Sequence, residues 1–258
     1  MKHSIEEDQR QKFHQWLEHT DPSPNHLRAC KHHETHTNQW VLRLQRWKDW
    51  RSRAVRFLWI HGIPGAGKTV LASFLTRQLE PSYKDGERVG VSYYYCYFDH
   101  KQDETEPFLR WTLSQLCRQA RNIPSCIFDL YNNRSQPSIK QLCDALRVVL
   151  ESFNVAFIII DAVDESDPRE ELIELLKTLV TDDGFANIQL LVTSREYVDI
   201  GTSFLDIAVP LSMSDPEVEK DIRQYICVKL ESKPKFKRWQ KSLRKEIEEA
   251  LTNGAQGM

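Results

Sequence analysis

The stretch FLWIHGIPGAGKTVL, from Phe57 to Leu71, runs apolar residues into a glycine-rich turn and places a lysine where a helix should start. Gly62, Ile63, Pro64, Gly65, Ala66, Gly67, Lys68 and Thr69 satisfy G-x-x-x-x-G-K-[ST], a phosphate-binding loop pattern. Glycines let backbone N–H groups converge on phosphate oxygens. A helix opening near Gly67 and running through Val70 aims its positive end at the same point. Lys68 is expected to reach β- and γ-phosphates as a mobile cation, and the Thr69 hydroxyl to ligate Mg²⁺. The GxGxxG order of a dinucleotide fold is absent.

A phosphate loop needs an acidic partner at the end of another strand. Asp161 closes the run FIIID and is expected to hold Mg²⁺ opposite Thr69, directly or through water. The bland alternative is a solvated carboxylate ending a strand. Asp164 and Glu165 follow in DAVDES, and one of them could orient or deprotonate a water attacking the γ-phosphate, Glu165 first. Their rival role is as helix-start acids favoured by the helix dipole. Arg195 ends LLVTSR and is placed to touch the γ-phosphate, with Thr193 or Ser194 adding a hydroxyl; its rival role is a surface pair with Glu196 or Asp199. Cys30, His32, His33 and His36 cluster like metal ligands but lack a properly spaced second pair, so a polar linker is the preferred reading.

These residues require strands that end at one edge. AVRFLWI and VAFIIID (155–161) read as buried strands, as does IQLLVTSR (188–195); VSYYYCYF (91–98) and the weaker IAVPL (207–211) add two more. Helical spacing of apolar residues follows the loop at Val70, Leu71, Phe74, Leu75 and Leu79, and recurs over about 107–120 and 138–152. In SDPREELIELLKTLV, Asp167 is the expected cap and Pro168 the first turn of another helix. Asp215 and Pro216 open one more, with Val218, Ile222, Tyr225 and Ile226 on one side, and Trp239 to Leu251 mark the last. Upstream, Ile5, Phe13, Trp16 and Leu17 give a short amphipathic helix, DPSPN a break, and Trp40, Leu44, Trp47 and Trp50 a helix packed on the following domain. The alternation predicts a three-layer α/β domain around a mostly parallel sheet.

Composition sets outer bounds. The 258 residues carry a net charge of −2 and 40% hydrophobic content, ordinary for a globular chain and unfavourable for nucleic-acid or anionic-membrane binding. No run is long enough to cross a bilayer, and the polar N-terminus has no signal-peptide core. Six scattered cysteines fit reduced thiols, so a cytoplasmic location is expected.

Taken together, WIHGIPGAGKTVL, FIIIDAVDES, LLVTSREYVDI and DPEVEKDIRQYI resemble the NACHT-type signalling NTPases of the STAND class, nearest the fungal group that shares the nephrocystin-like N-terminal module. The resemblance runs from about Trp40 to the C-terminus. It implies a P-loop NTPase fold with a five-stranded parallel core, ATP or GTP with Mg²⁺, and a regulated switch in intracellular signalling, associated in fungi with non-self recognition and programmed cell death. Its phosphate-loop roles fall on Gly62 to Thr69, its magnesium acid on Asp161, its paired acids on Asp164 and Glu165, and its first sensor on Arg195. It also implies three parts: an N-terminal helical segment (1–50), the NTPase domain (51–212), and the start of a C-terminal helical subdomain (213–258). Relatives continue past NGAQGM into a winged helix carrying a sensing histidine, so a shortened member is expected.

The leading expectation is a nucleotide-binding switch with slow hydrolysis, working with protein partners or copies of itself. A catalytically weak or inactive interaction module, which binds nucleotide only to hold its shape or not at all, is the alternative. A small-molecule kinase is disfavoured because no lid arginine follows Arg195 before Arg223, and a small GTPase because no NKxD occurs.

Overall fold

In this computed structural model the described residues are 2–35, 37–79, 88–97, 102–120, 125–133, 136–214 and 216–255, with backbone alone for 2–9 and 253–255. Along the chain they form α1 (Lys2–Leu17), α2 (Ser23–His32), α3 (Gln45–Arg51), β1 (Phe57–His61), α4 (Lys68–Leu79), β2 (Val89–Tyr95), α5 (Thr105–Gln119), α6 (Ser125–Asn132) and α7 (Ile139–Leu150). Then come β3 (Val155–Asp161), α8 (Glu170–Thr181), β4 (Ile188–Ser194), α9 (Val198–Phe204), β5 (Val209–Ser212), α10 (Pro216–Ser232), α11 (Pro234–Lys237) and α12 (Lys241–Ala255).

The five strands pair in parallel in the order β2-β3-β4-β1-β5. The expected three-layer α/β P-loop fold is therefore present. Strands β1, β3 and β4 are buried at every position, as continuous apolar runs demand when helices cover both faces. Alternate side chains divide between two cores. Phe57, Ile158, Ile160, Leu190 and Val192 meet α5, α7 and α8, whereas Leu58, Ile60, Phe157, Ile159 and Leu191 meet α3 and α4. Phe13 and Leu17 of α1 pack into the first of these cores.

Several local expectations need correction. Residues 23–32 are helix α2 and not a polar linker, and His26 and Ala29 anchor that helix by burial. The tryptophan helix is split, because Leu44 is extended (ψ 139°) between a 3-10 turn at Val41–Arg43 and α3. That break lets Trp47 and Trp50 insert under the sheet, with Trp50 5.1 Å from Phe157, while Trp40 faces the loop end beside Gly65 and Met213. Asp167 caps nothing: α8 starts at Glu170 after Arg169, and a 3-10 turn at Val163–Glu165 intervenes. The structure adds helices α6, α9 and α11 to those the spacing predicts. Asp215 and Phe98, expected in a helix start and a strand end, lie outside the described residues.

Candidate functional site

The parallel order brings the C-terminal ends of β1, β3 and β4 side by side, and the chain delivers the chemistry there. Gly62 leaves β1 where there is no room for a side chain, since a Cβ would lie 2.7 Å from that of Met213. Gly65 and Gly67 take φ of 82° and 85°, a region costly for residues with a Cβ. The loop then passes into α4 at Lys68, so the helix N-terminus faces the concavity.

Lys68 Nζ donates to the Gly62 and Ile63 carbonyls, at 2.7 and 2.9 Å. Burial lowers its pKa, while the Asp164 and Asp161 carboxylates pull it back up. Asp161 is only 2% exposed at the end of β3. The Thr193 hydroxyl of β4 donates to its Oδ1 at 2.5 Å, and the Thr69 hydroxyl also hydrogen-bonds to it. Burial raises the Asp161 pKa to about 6, with the two threonine bonds acting in the opposite direction. It is thus predominantly ionised at neutral pH.

Beyond Asp161 the backbone turns sharply. Ala162 is left-handed (φ 58°, ψ 46°), and its N–H donates to Thr193 Oγ1 at 3.0 Å. The following 3-10 turn carries Asp164 and Glu165 back toward the site. Asp164 accepts from the Arg195 backbone N–H at 2.9 Å and lies 3.2 Å from its Nε. Glu165 Oε1 is 3.9 Å from Arg195 Nη2. Glu165 lies five and Asp164 six residues before the start of α8, so neither acid sits in that helix's first turn. Arg195 also donates to the Tyr197 hydroxyl at 3.3 Å. Its suggested surface partners are engaged elsewhere: Asp199 takes Arg169 at 2.7 Å, and Glu196 lies 3.3 Å from His61 Nδ1. Ser194 Oγ accepts from Trp59 Nε1 and donates to the Arg195 carbonyl, so of the two hydroxyls only that of Thr193 joins Asp161.

Pro64 through Val70, Ala162, Asp164, Glu165, Thr193 and Arg195 enclose a cavity of about 260 Å³. A second, of about 550 Å³, shares Gly65, Ala66, Gly67 and Val70 with it. The walls of the second come from Lys31 and Thr37 on one side and Met213, Val218, Asp221 and Ile222 on the other. Two contacts tie those sides together: the Asn38 N–H donates to Asp221 Oδ2 at 2.6 Å, and Lys229 pairs with Glu34. Sequence patterns gave no hint of this second cavity, because its residues are far apart in the chain and belong to no motif. The cysteine–histidine cluster does other work. Cys30 Sγ lies 3.5 Å from His26 Nε2, His33 stacks on Phe74, and His36 lies outside the described residues.

Oxygen donors from Thr69 and Asp161 are the hard ligand set that suits Mg²⁺, which takes few protein ligands and completes its shell with phosphate and water. The N-terminus of α4, a lysine and a buried carboxylate are complementary to a polyphosphate carrying such a cation. All six cysteines are free. Among the described residues no helix is long and apolar enough to cross a membrane.

Residues 36–195 match the family model described as nephrocystin 3, N-terminal. The chain is similar to vegetative incompatibility protein HET-E-1 of Podospora anserina, 28% identical over 175 residues that make up 62% of this chain and 12% of that relative. Among solved structures it is similar to Cdc6p from Pyrobaculum aerophilum, with a TM-score of 0.49 and 16% identity over 81% of this chain and 52% of that one. The Aeropyrum pernix Orc1 protein in complex with DNA gives a TM-score of 0.47 and 14% identity over 76% of this chain and 53% of that one. The chain thus spans about half the length of these structures and a small part of the curated relative.

Proposed function

The chain belongs to the nephrocystin 3 N-terminal family, of NACHT type, and from that premise we propose that it is a nucleotide-binding switch that hydrolyses ATP or GTP slowly in the presence of Mg²⁺. The observation that carries the reading is the convergence of Thr69 and Thr193 on buried Asp161, with both threonines lining a cavity together with Lys68, Glu165 and Arg195.

Gly62 to Thr69 wrap the phosphates with backbone amides. Lys68 exchanges the two loop carbonyls for β- and γ-phosphate oxygens, a trade of neutral for charged acceptors that strengthens each bond. Thr69 and Asp161 would hold Mg²⁺, which when bound neutralises charge on the β- and γ-phosphates. The nucleoside lies in the adjoining cavity, which reaches the phosphate site through the shared loop residues. Arg195, held by Asp164, turns toward a γ-phosphate when one is present. Glu165, and next to it Asp164, orients the attacking water and accepts its proton.

The likeness to a vegetative incompatibility protein supports a signalling role, in fungal non-self recognition or programmed cell death, through protein partners or self-association in the cytoplasm. The balanced amounts of acid and base support no nucleic-acid role. A weakly active or inactive interaction module is the second reading, favoured by the lysine already satisfied on its own loop.

Titration of the purified chain with labelled ATP and GTP, with and without Mg²⁺, followed by phosphate-release assays, decides between them. Mg²⁺-dependent binding with slow release that falls severalfold in Glu165→Gln supports the switch. Binding without any release, or no binding of either nucleotide, supports the module and removes the switch.

A further inference from the structure

Strand β2 is an edge of the sheet, and its sequence VGVSYYY is uncharged, rich in β-branched and aromatic residues, and without proline. Edge strands ordinarily escape pairing with another chain through lysines, prolines or bulges. A seven-residue uncharged segment of this kind has the composition that favours intermolecular strand pairing. In the parallel ladder the odd-numbered residues of β2 turn their N–H and C=O groups outward.

Two glutamines of α5 occupy those groups. Gln119 accepts the Val91 N–H at 2.9 Å and donates to the Val91 carbonyl at 2.7 Å. Gln115 accepts the Tyr93 N–H at 2.9 Å and donates to the Tyr93 carbonyl at 3.3 Å. Each side-chain amide thus offers one residue the donor and acceptor that a neighbouring antiparallel strand would offer. The spacing is matched: four residues of helix rise about 6 Å, and two residues of strand about 6.6 Å. Gly90 lets α5 pack closely here, since a Cβ would lie 2.7 Å from Leu116 Cδ2 and 3.2 Å from Phe153 Cδ1. Beside the glutamines a cleft of about 640 Å³, walled by Gln15, Glu18, Asp21, Ser23 and Trp111, leaves room along the strand.

We propose that Gln115 and Gln119 form a side-chain surrogate for a sixth strand, and that it blocks β2 from pairing with β2 of a second copy of this chain. The occupant is a second copy because an uncharged strand of seven residues is complementary to itself about a twofold axis. The cap is reversible in principle: swinging two exposed or half-buried side chains away uncovers the edge without unfolding α5.

Two double variants of the full chain test this, read by light scattering and by hydrogen exchange resolved at Val91 and Tyr93. Gln115→Met/Gln119→Met keeps side-chain length and removes the amides; it is expected to self-associate to at least about twice the parent mass. Gln115→Lys/Gln119→Lys removes the cap but adds charge that opposes pairing. It is expected to keep the parent mass while the Val91 and Tyr93 amides exchange about tenfold faster. A folded methionine pair with the parent's mass would overturn the second-copy occupant. If that variant does not fold, the lysine pair and the parent decide: exchange at Val91 and Tyr93 equally fast in both would overturn the cap itself.

Discussion

The Thr193 hydroxyl on β4 lies 2.5 Å from the Asp161 carboxylate on the neighbouring strand β3 and also accepts the N–H of Ala162. One hydroxyl therefore fixes both the buried acid and the turn that returns Asp164 and Glu165 to the site. Thr193→Val keeps the shape, strips Asp161 of a donor, and leaves the Ala162 N–H unpaired. Loss of a partner by buried polar groups costs about 1–3 kcal/mol, to be read from urea unfolding, and Thr193→Ser should recover most of it.

The left-handed Ala162 carries strain that glycine would not. Ala162→Gly should be stabilised by about 0.5–1 kcal/mol, after the extra freedom of the unfolded chain is set against the relieved strain. Ala162→Val should be destabilised by about 1–2 kcal/mol. Equal midpoints of chemical unfolding for the two variants would contradict the assigned backbone conformation.

Gly62 and Gly67 should fail as alanine for different reasons. At Gly62 the new methyl meets Met213, whose backbone N–H is held by the His61 carbonyl at 2.8 Å, so the neighbour yields poorly and overpacking costs about 1–3 kcal/mol. At Gly67 there is open space, and the cost is the backbone conformation alone, about 1 kcal/mol. Thermal unfolding should rank Gly62→Ala below Gly67→Ala.

Acid should weaken the fold through His14. Its Nδ1 lies 2.8 Å from Ser114 Oγ, and Ser114 gives its own proton to Glu18 at 2.6 Å, so Nδ1 carries the hydrogen of a neutral ring. Burial lowers its pKa to about 4, with the Arg118 charge adding to burial and Glu18 opposing it. Between pH 6.5 and about 4 the unfolded chain binds more protons than the folded one, so stability is whole above pH 6.5 and declines as pH falls through that window. At pH 5 the loss from this group should reach about 2 kcal/mol. Comparing unfolding at pH 7 and pH 5 for the parent and His14→Gln checks it, since the substitution should flatten that part of the profile.

Strands and helices with strong periodicity were legible because burial imposes it: VAFIIID can only be a strand covered on both faces. The phosphate loop and the acids after FIIID were legible because their chemistry demands fixed spacing. Thr193 was half legible, since either hydroxyl of the pair Thr193–Ser194 was a candidate and strand alternation alone chose between them. The second cavity was not legible at all. Thr37, Met213 and Asp221 meet only after the sheet has closed, and no local pattern encodes a contact of such range. Helix α2 was hidden by Pro22 just before it, Pro24 within it and histidines that suggested a linker, although Ser23 and Pro24 suit a helix start.

Lys68 is the cation expected to hold a nucleotide's phosphates. Among the described residues Lys68 donates to two carbonyls of its own loop, so Lys68→Ala should remain folded while losing about 1–2 kcal/mol of unfolding stability with those bonds. Titration with ATP and with GTP in Mg²⁺ should then show the preferred nucleotide bound by the parent and its affinity reduced by about tenfold or more in Lys68→Ala, the loss expected from a charge-assisted contact. Equal affinity in the two proteins, with the variant folded, would mean that Lys68 does not hold the nucleotide's phosphates.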